Sequence, residues 1–371
     1  MKLKMGAHAF LRDYWQSAPL LIRQALPSYA SPLSPNDLAA LACEPDMQSR
    51  LVLKRGRQWL VEHGPFDAVR FAKLPEKDWT LLVQGVDRRD PAVHALLKHF
   101  DFLPRWRVDD IMISYAVPGG SVGAHVDQYD VFLLQVAGTR RWQIDASTNP
   151  DCSFQAKPAL KLLKHFKPTH DWLLGPGDML YLPPGVPHHG VSQDSECLSF
   201  SIGFRAPSAQ ELLQAYASGL PEELRYSDAG LSATTYPRVL DDAAIARGKA
   251  LLHAAIDAPA GNFQEFFAGY LSAYRSTQLA DLRPARASVA VLRTRLAAGA
   301  QITVAPGVRW LLSANQRDLY VAGSRFSCPN ACVAALSGDQ PFAVTGMDCA
   351  AQDFIVAGLK RGWLHFYAAD S

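Results

Sequence analysis

The chain lacks an apolar run approaching the roughly 20 residues that a membrane-spanning helix needs. It also lacks an excess of charge of either sign. Against 37 Lys and Arg stand 35 Asp and Glu, a formal net charge of +2, so no global field attracts nucleic acid or an anionic membrane. The first residues, MKLKMGAHAFLRDYW, carry two lysines but neither the apolar core nor the small-residue cleavage site of a secretory signal, which predicts a cytoplasmic protein. Cysteine is sparse and scattered: Cys43, Cys152, Cys197, Cys328, Cys332 and Cys349. Only Cys328 and Cys332 are close, as C-x3-C, and no second Cys/His pair stands at zinc-site spacing. Reduced, structural thiols follow, rather than a disulfide framework. Internal repeats and low-complexity tracts are absent too, so repeat architectures are excluded.

What is present is an ordinary globular composition, 49% hydrophobic and 19% charged, in a chain of 371 residues. That length exceeds one ordinary core and predicts two or three domains. Up to about residue 206, short apolar runs alternate with Pro/Gly turns. DDIMISYAVPGG (109–120) reads as a strand ending in a turn, and VFLLQVAGTRRWQI (131–144) as two strands around Ala137-Gly138-Thr139. GPGDMLYLPPGVPHHGV (175–191) is a strand between two Pro/Gly turns. In CLSFSIGFRAP (197–207), Ser199, Ser201 and Gly203 alternate with Leu198, Phe200 and Ile202, a period of two. Many short strands at such spacing predict a sandwich, barrel or jelly roll. Helical sequence precedes them, as in DPAVHALLKHF (90–100), where Ala92, Leu96 and Phe100 share a helical face.

The pattern changes at Ala206-Pro207. Ser208 and Glu211 have capping-box spacing, and a helix is predicted after them. Stretches 241–256 and 262–274 also carry helical periodicity, which makes 207–277 a small helical domain able to pack on itself or on a second copy of the chain. Residues 278–371 mix one helix with short strands and turns, which predicts a helix-plus-wing unit. From 281 onward that unit has nine Arg/Lys and six Asp/Glu, an excess too small to call for direct nucleic-acid binding.

The chemistry lies in the strand-rich part. If 123–128 is extended, His125 and Asp127 point one imidazole and one carboxylate to the same side. One further histidine would complete a 2-His-1-carboxylate triad with the opposite metal positions open. His188 and His189, in YLPPGVPHHG, supply that candidate, on a loop stiffened by Pro183, Pro184 and Pro187. His188 is favoured because it follows Pro187 directly, and spacing alone leaves His189 as its rival. An isolated H-x-D is common by chance, and a histidine pair after prolines is commonly a surface loop. The two together, separated by 60 strand-rich residues (128–187), are much more specific. An oxo-acid cosubstrate on such a metal needs a buried cation for its far carboxylate. In GTRRWQI, alternation puts Arg140 with Trp142 and Ile144 on the inward face and Arg141 with Gln143 on the other. Ser114 and Ser201 are candidate hydroxyl partners for the same carboxylate. Tyr129 and Asp130, just after the ligand pair, are candidates to meet a cationic substrate at the mouth, or else a core tyrosine and a turn cap.

WTLLVQGVD (79–87), LPRWRVDDIMISYAVPGGSVGAHVDQYDVFLLQVAGTRRW (103–142), PGDMLYLPPGVPHHG (176–190) and SIGFRAP (201–207) closely resemble the bacterial ribosomal oxygenases. The resemblance implies an α+β chain: a double-stranded β-helix (cupin/JmjC jelly roll) with N-terminal helices over 1–206, a helical dimerisation domain over 207–277 and a winged-helix-like C-terminal domain over 278–371. It implies Fe(II), 2-oxoglutarate and O2 as cofactor and cosubstrates. His125, Asp127 and His188 then match the iron ligands and Arg140 the 2-oxoglutarate cation, while the hydroxyl partner stays open between Ser114 and Ser201. It further implies a homodimer that hydroxylates an arginine β-carbon of a large-subunit ribosomal protein; the charge balance and the short apolar runs already argue against a membrane or direct nucleic-acid partner. His189 stands where an acidic residue can occur, and Ala116 where a small hydroxyl residue can. Two other activities use the same residues: a histidyl or asparaginyl protein hydroxylase or demethylase, and a cupin metalloenzyme that takes no 2-oxoglutarate. Arg140 disfavours the second.

Overall fold

Strand alternation in the first part of the chain produces two faces with different surroundings. A computed structural model describes residues 6–56, 58–155, 160–229, 231, 240–257, 263–273, 284–305, 307–336, 341–342 and 348–367. The chain divides into two units, Met1–Ala206 and Pro207–Ser371.

The first unit carries β1 (Leu20–Ile22), β2 (Ser49–Arg55), β3 (Gln58–His63), β4 (Trp79–Val83), β5 (Val108–Ala116), β6 (Asp130–Ala137), β7 (Arg140–Ile144), β8 (His170–Leu174), β9 (Met179–Leu182), β10 (His188–Ser192) and β11 (Cys197–Phe204). Eight form one antiparallel sheet in the order β1-β9-β6-β11-β5-β4-β2-β3, and β10-β7-β8 form a second. This is the double-stranded β-helix. On β11, Leu198, Phe200, Ile202 and Phe204 join a core that includes Phe10, Leu38, Leu96 and Phe100 from the helical segments outside the large sheet. Alternation turns Cys197, Ser199 and Ser201 to the inner face. There, Val131, Leu133, Trp142, Ile144, Leu174, Leu180 and Leu182 form a second, smaller core drawn from both sheets.

The helices of this unit are α1 (Gly6–Asp13), α2 (Pro35–Leu41), α3 (Ala68–Phe71) and α4 (Pro91–Ala95). The helix expected over 90–100 starts where Asp90 accepts hydrogen bonds from Ala92 N and Val93 N, but it tightens into a 3-10 turn over Leu96–Phe100. Side chains three apart then line up. Val93, Leu96, Leu97 and Phe100 are buried, while Ala92 is exposed, unlike the purely α-helical expectation.

The second unit contains α5 (Ala209–Ala217), α6 (Asp242–Asp257), α7 (Phe263–Ala273), α8 (Val289–Ala297), α9 (Asn330–Leu336) and α10 (Cys349–Arg361). The expected capping box is formed: Ser208 Oγ accepts from Glu211 N, and the Glu211 carboxylate accepts from Ser208 N. Tyr216 of α5 donates to Ala255 O of α6 at 2.8 Å and packs on Phe266 of α7 with ring centroids 4.8 Å apart. The strands are a pair, β12 (Gln301–Val304) with β16 (Leu364–Tyr367), and an antiparallel meander of β13 (Trp310–Leu312), β14 (Asp318–Val321) and β15 (Ser324–Ser327). The boundary expected at 277/278 lies outside the described residues. All six cysteines are free thiols. Among the described residues no helix is long and apolar enough to cross a membrane.

One buried polar group anchors the start of β6. Asp130 is fully buried on the outer face with Phe132 and Leu134. Its carboxylate accepts from Tyr181 Oη at 2.7 Å, Gln16 Nε2 at 3.0 Å and Arg107 Nη2 at 2.9 Å. It is therefore not available at a substrate mouth, the role considered for it from sequence. The start of a sheet strand, buried under the N-terminal segment, consumes its oxygens. Removing one partner of a buried ion pair leaves the other uncompensated, so Asp130→Ala should lower the unfolding free energy by about 3–5 kcal/mol. Arg141→Ala, which breaks an exposed pair with Asp171, should cost under about 1 kcal/mol. Urea titrations of both variants check this; equal losses would contradict the assignment.

Candidate metal centre

His125 does not lie on a regular strand. The segment 117–129 leaves the sheet through a turn with Gly119 at φ +77° and Gly123 at φ +80°, a left-handed geometry that favours glycine. His125 then forms a single antiparallel bridge to His188. His125 N donates to His188 O at 3.0 Å, and His188 N donates to His125 O at 2.9 Å. The convergence thus comes from a cross-loop bridge, where the sequence predicted plain strand alternation. Asp127 is tied to the proline loop by its carbonyl, which accepts from Gly185 N at 2.8 Å.

The side chains meet. Asp127 Oδ2 lies 3.8 Å from His125 Nε2 and 3.7 Å from His188 Nε2. One ligand atom from each of the three lies within 4.8 Å of the others, the one such cluster among the described residues. Each histidine is held through its other nitrogen: His125 Nδ1 meets Gly123 O at 3.0 Å, and His188 Nδ1 meets Val186 O at 2.9 Å. A carbonyl can only accept, so both Nδ1 atoms carry a proton and Nε2 is the ligand position of each ring. Burial, then the neighbouring His125, pushes His188 down to about 4, which keeps its imidazole neutral as a ligand must be. His189 belongs elsewhere: alternation on β10 turns its ring onto Phe166, with centroids 6.1 Å apart. The donor set, one carboxylate and two imidazoles with their ligand atoms within 4.8 Å of one another, fits an iron(II)-type ion.

Arg140 is buried and Arg141 exposed, as alternation predicted. Arg141 forms a two-pronged pair with Asp171, both bonds 2.7 Å. Arg140 donates from Nε to Cys197 Sγ at 3.3 Å, and its guanidinium lies 5.8 Å from the Trp142 ring centroid. Its Nη2 is buried without a hydrogen-bond partner. A buried donor left unmatched is costly, and a carboxylate would satisfy it. Across β7 and β10, Ile144 faces His188, Trp142 faces Gly190 and Arg140 faces Ser192. A Cβ at Gly190 would sit 2.6 Å from the Trp142 ring, so glycine is what lets the indole lie over the ladder between cation and histidine.

Ser114 is buried on the inner face of β5 and donates to Ser199 O at 3.4 Å; Ser201 lies opposite Met112. Three inner residues were not expected at the site from sequence: Ser199, Gln135 and Cys197. Their signal was polar side chains recurring at inward positions of otherwise apolar strands. Tyr129 is covered by Arg205, whose guanidinium lies 4.9 Å from the ring centroid. Burial, then Asp127, raises its phenol far above the ordinary value. On β5, Asp110 accepts from Gly85 N at 2.8 Å and Gln84 Nε2 at 3.1 Å. Burial, then Asp87 and Asp109, pushes its carboxyl up to about 6.

Comparison with known proteins agrees with this geometry. A family model described as JmjC domain matches residues 95–212. The chain is 37% identical over 270 residues to the ribosomal protein uL16 3-hydroxylase of Escherichia coli K12, covering 72% of this chain and 71% of that protein. It is 41% identical over 212 residues to a probable ribosomal oxygenase of Haemophilus influenzae, covering 57% and 52%. The X-ray structure of E. coli ycfD superposes with a TM-score of 0.86 at 30% identity over 99% of both chains. The E. coli ribosomal oxygenase YcfD in complex with cobalt and 2-oxoglutarate superposes with a TM-score of 0.82 at 30% identity, over 97% of this chain and 98% of that one. With 37% identity across more than two thirds of both chains and a JmjC domain over its strand-rich part, the chain belongs to the JmjC ribosomal oxygenases, enzymes that use Fe(II), 2-oxoglutarate and O2.

Proposed function

We propose that His125, Asp127 and His188 hold Fe(II), that Arg140 anchors the far carboxylate of 2-oxoglutarate, and that the enzyme hydroxylates the β-carbon of an arginine in the large-subunit ribosomal protein uL16. The carrying observation is the three-residue cluster with both Nδ1 atoms already committed, beside a buried arginine nitrogen with no partner. Fe(II) with 2-oxoglutarate and dioxygen supplies hydroxylation of an unactivated C–H bond, releasing succinate and carbon dioxide. The chain's own part is to orient the imidazoles and to neutralise the cosubstrate's far carboxylate. The uL16 assignment is supported by the name of the 37%-identical E. coli relative.

A substrate guanidinium needs a carboxylate and an aromatic face near the centre. With Asp130 consumed elsewhere, Asp110 fits that role from the inner face of β5, and Tyr129, two residues after Asp127, supplies the ring. A bound guanidinium would favour the ionised form of Asp110, offsetting the burial that raises it.

We also read the second unit as a helical dimerisation segment followed by a winged-helix-like domain, in a cytoplasmic homodimer. Leu213 on α5 and Ile245 and Leu252 on α6 are exposed at 57%, 42% and 66%, apolar side chains that a second copy would cover.

Loss of a ligand should exceed the effect of any outer partner, so His188→Ala should weaken Mn(II) binding by more than roughly a hundredfold. His189→Ala should leave it nearly unchanged. Calorimetric titration with Mn(II) decides, and equal effects would undo the ligand assignment. For the substrate, intact and fragment mass analysis of large-subunit ribosomal proteins from strains with and without this chain should show one oxygen gained on an arginine of uL16. The gain should vanish with His188→Ala and fall sharply with Asp110→Asn. An unmodified uL16 in the producing strain would overturn the substrate while leaving the metal centre intact. Sedimentation at micromolar concentration should show a dimer that Leu252→Glu converts to monomer; a wild-type monomer would overturn the dimer.

A further inference from the structure

Arg140 is a cation inside a barrel, and sulfur determines how it lies. Its Nε donates to Cys197 Sγ at 3.3 Å, and the same sulfur accepts from Gln135 Nε2 at 3.5 Å. Gln135 is itself immobilised. Its Nε2 donates to Ala137 O at 2.7 Å, and its Oε1 accepts from Ser199 Oγ at 2.7 Å. The register accounts for the convergence: β11 runs between β5 and β6, placing Ser199 opposite both Ser114 and Gln135 and Cys197 opposite Ala116. Cys197 is fully buried at the first position of β11.

A guanidinium is planar, with its N–H donors in a fixed fork. Fixing Nε–H therefore constrains the whole plane. With Nε committed to Cys197, Nη2 remains buried and unmatched in a residue only 7% exposed. A small apolar residue at position 197 would fill space but could not accept from Nε, and the arginine would be free to turn about its last side-chain bonds.

We propose that Cys197 is a positioning residue for cosubstrate binding: its sulfur, backed by Gln135, sets the plane of Arg140 so that Nη2 is left for the far carboxylate of 2-oxoglutarate. This rests on the reading of Arg140 as the 2-oxoglutarate anchor. Cys197 does not touch the cosubstrate; it acts through the arginine.

The test is 2-oxoglutarate binding to the full chain loaded with Mn(II) under anaerobic conditions, by calorimetry or by quenching of tryptophan fluorescence. Mn(II) affinity is measured separately. Cys197→Val keeps an apolar side chain and removes the acceptor, whereas Cys197→Ser keeps an acceptor. Cys197→Val should weaken 2-oxoglutarate binding roughly tenfold with Mn(II) affinity within about twofold of wild type, and Cys197→Ser should stay within about threefold. In turnover with the iron enzyme, the valine variant should raise KM for 2-oxoglutarate with kcat retained. Equal weakening by valine and serine would make Cys197 a packing residue and overturn the proposal, as would wild-type binding by the valine variant. If thermal unfolding shows that the valine variant does not fold, Cys197→Ala makes the same comparison with serine. Arg140→Ala separates the two levels. Wild-type binding by Arg140→Ala removes the anchor itself; lost binding there with normal binding in Cys197→Val removes only the positioning role.

Discussion

Two backbone hydrogen bonds between His125 and His188 hold the centre together. They join an irregular loop to the first residue of a strand, and the residues they join stand 63 positions apart. The His125 segment has no regular element of its own, whereas His188 is held by the pairing of β10 with β7. The bridge sets the two ring centroids 4.2 Å apart. The carbonyls of Gly123 and Val186, each two residues before its histidine, then fix both tautomers. Asp127 enters the same geometry because its carbonyl is held by Gly185 in the proline loop. The histidine bridge and the Gly185–Asp127 contact together therefore serve three side chains.

The barrel around that bridge divides its labour by face. The outer side of the large sheet is almost wholly apolar and carries the helical layer through Phe10, Phe132, Phe200 and Phe204. That side supplies the hydrophobic stabilisation. The inner side is mixed. One end is filled by Trp142, Ile144, Leu174 and Leu180, while Ser114, Gln135, Arg140, Cys197 and Ser199 form a connected polar chain. Polar groups in such a place are tolerated when nearly all are matched. The unmatched Nη2 of Arg140 is the exception, and it faces the role a diacid cosubstrate would fill.

Buried carboxylates show how much a location decides. Asp127, Asp130 and Asp110 lie within twenty-odd residues of one another in sequence, yet each has a different environment. Asp130 accepts three strong hydrogen bonds beneath the N-terminal segment and serves stability. Asp127 is partly exposed between two imidazoles. Asp110 is buried among other acids, and burial with Asp87 and Asp109 raises its carboxyl to about 6.

Much was legible in the sequence because strand periodicity is local. Alternation alone separated Arg140 from Arg141, and Leu198, Phe200 and Ile202 from Ser199 and Ser201. The capping box at Ser208 and Glu211 was likewise legible, since its partners are three residues apart. Where competing local geometries have similar energies the reading failed: 90–100 begins as an α-helix and closes as a 3-10 turn, and 123–128 is a glycine-dependent loop instead of a strand. The sequence by itself determined which residue types are present, which face of each strand they take, and hence a barrel able to hold a metal. Only the tertiary structure decided that His188 and not His189 joins the cluster, that Asp130 is withdrawn from the mouth, and that Cys197, bonded by Gln135, meets Arg140. Those outcomes depend on register between strands far apart in the chain, and a shift of one residue in that register would turn every one of these side chains to the opposite face.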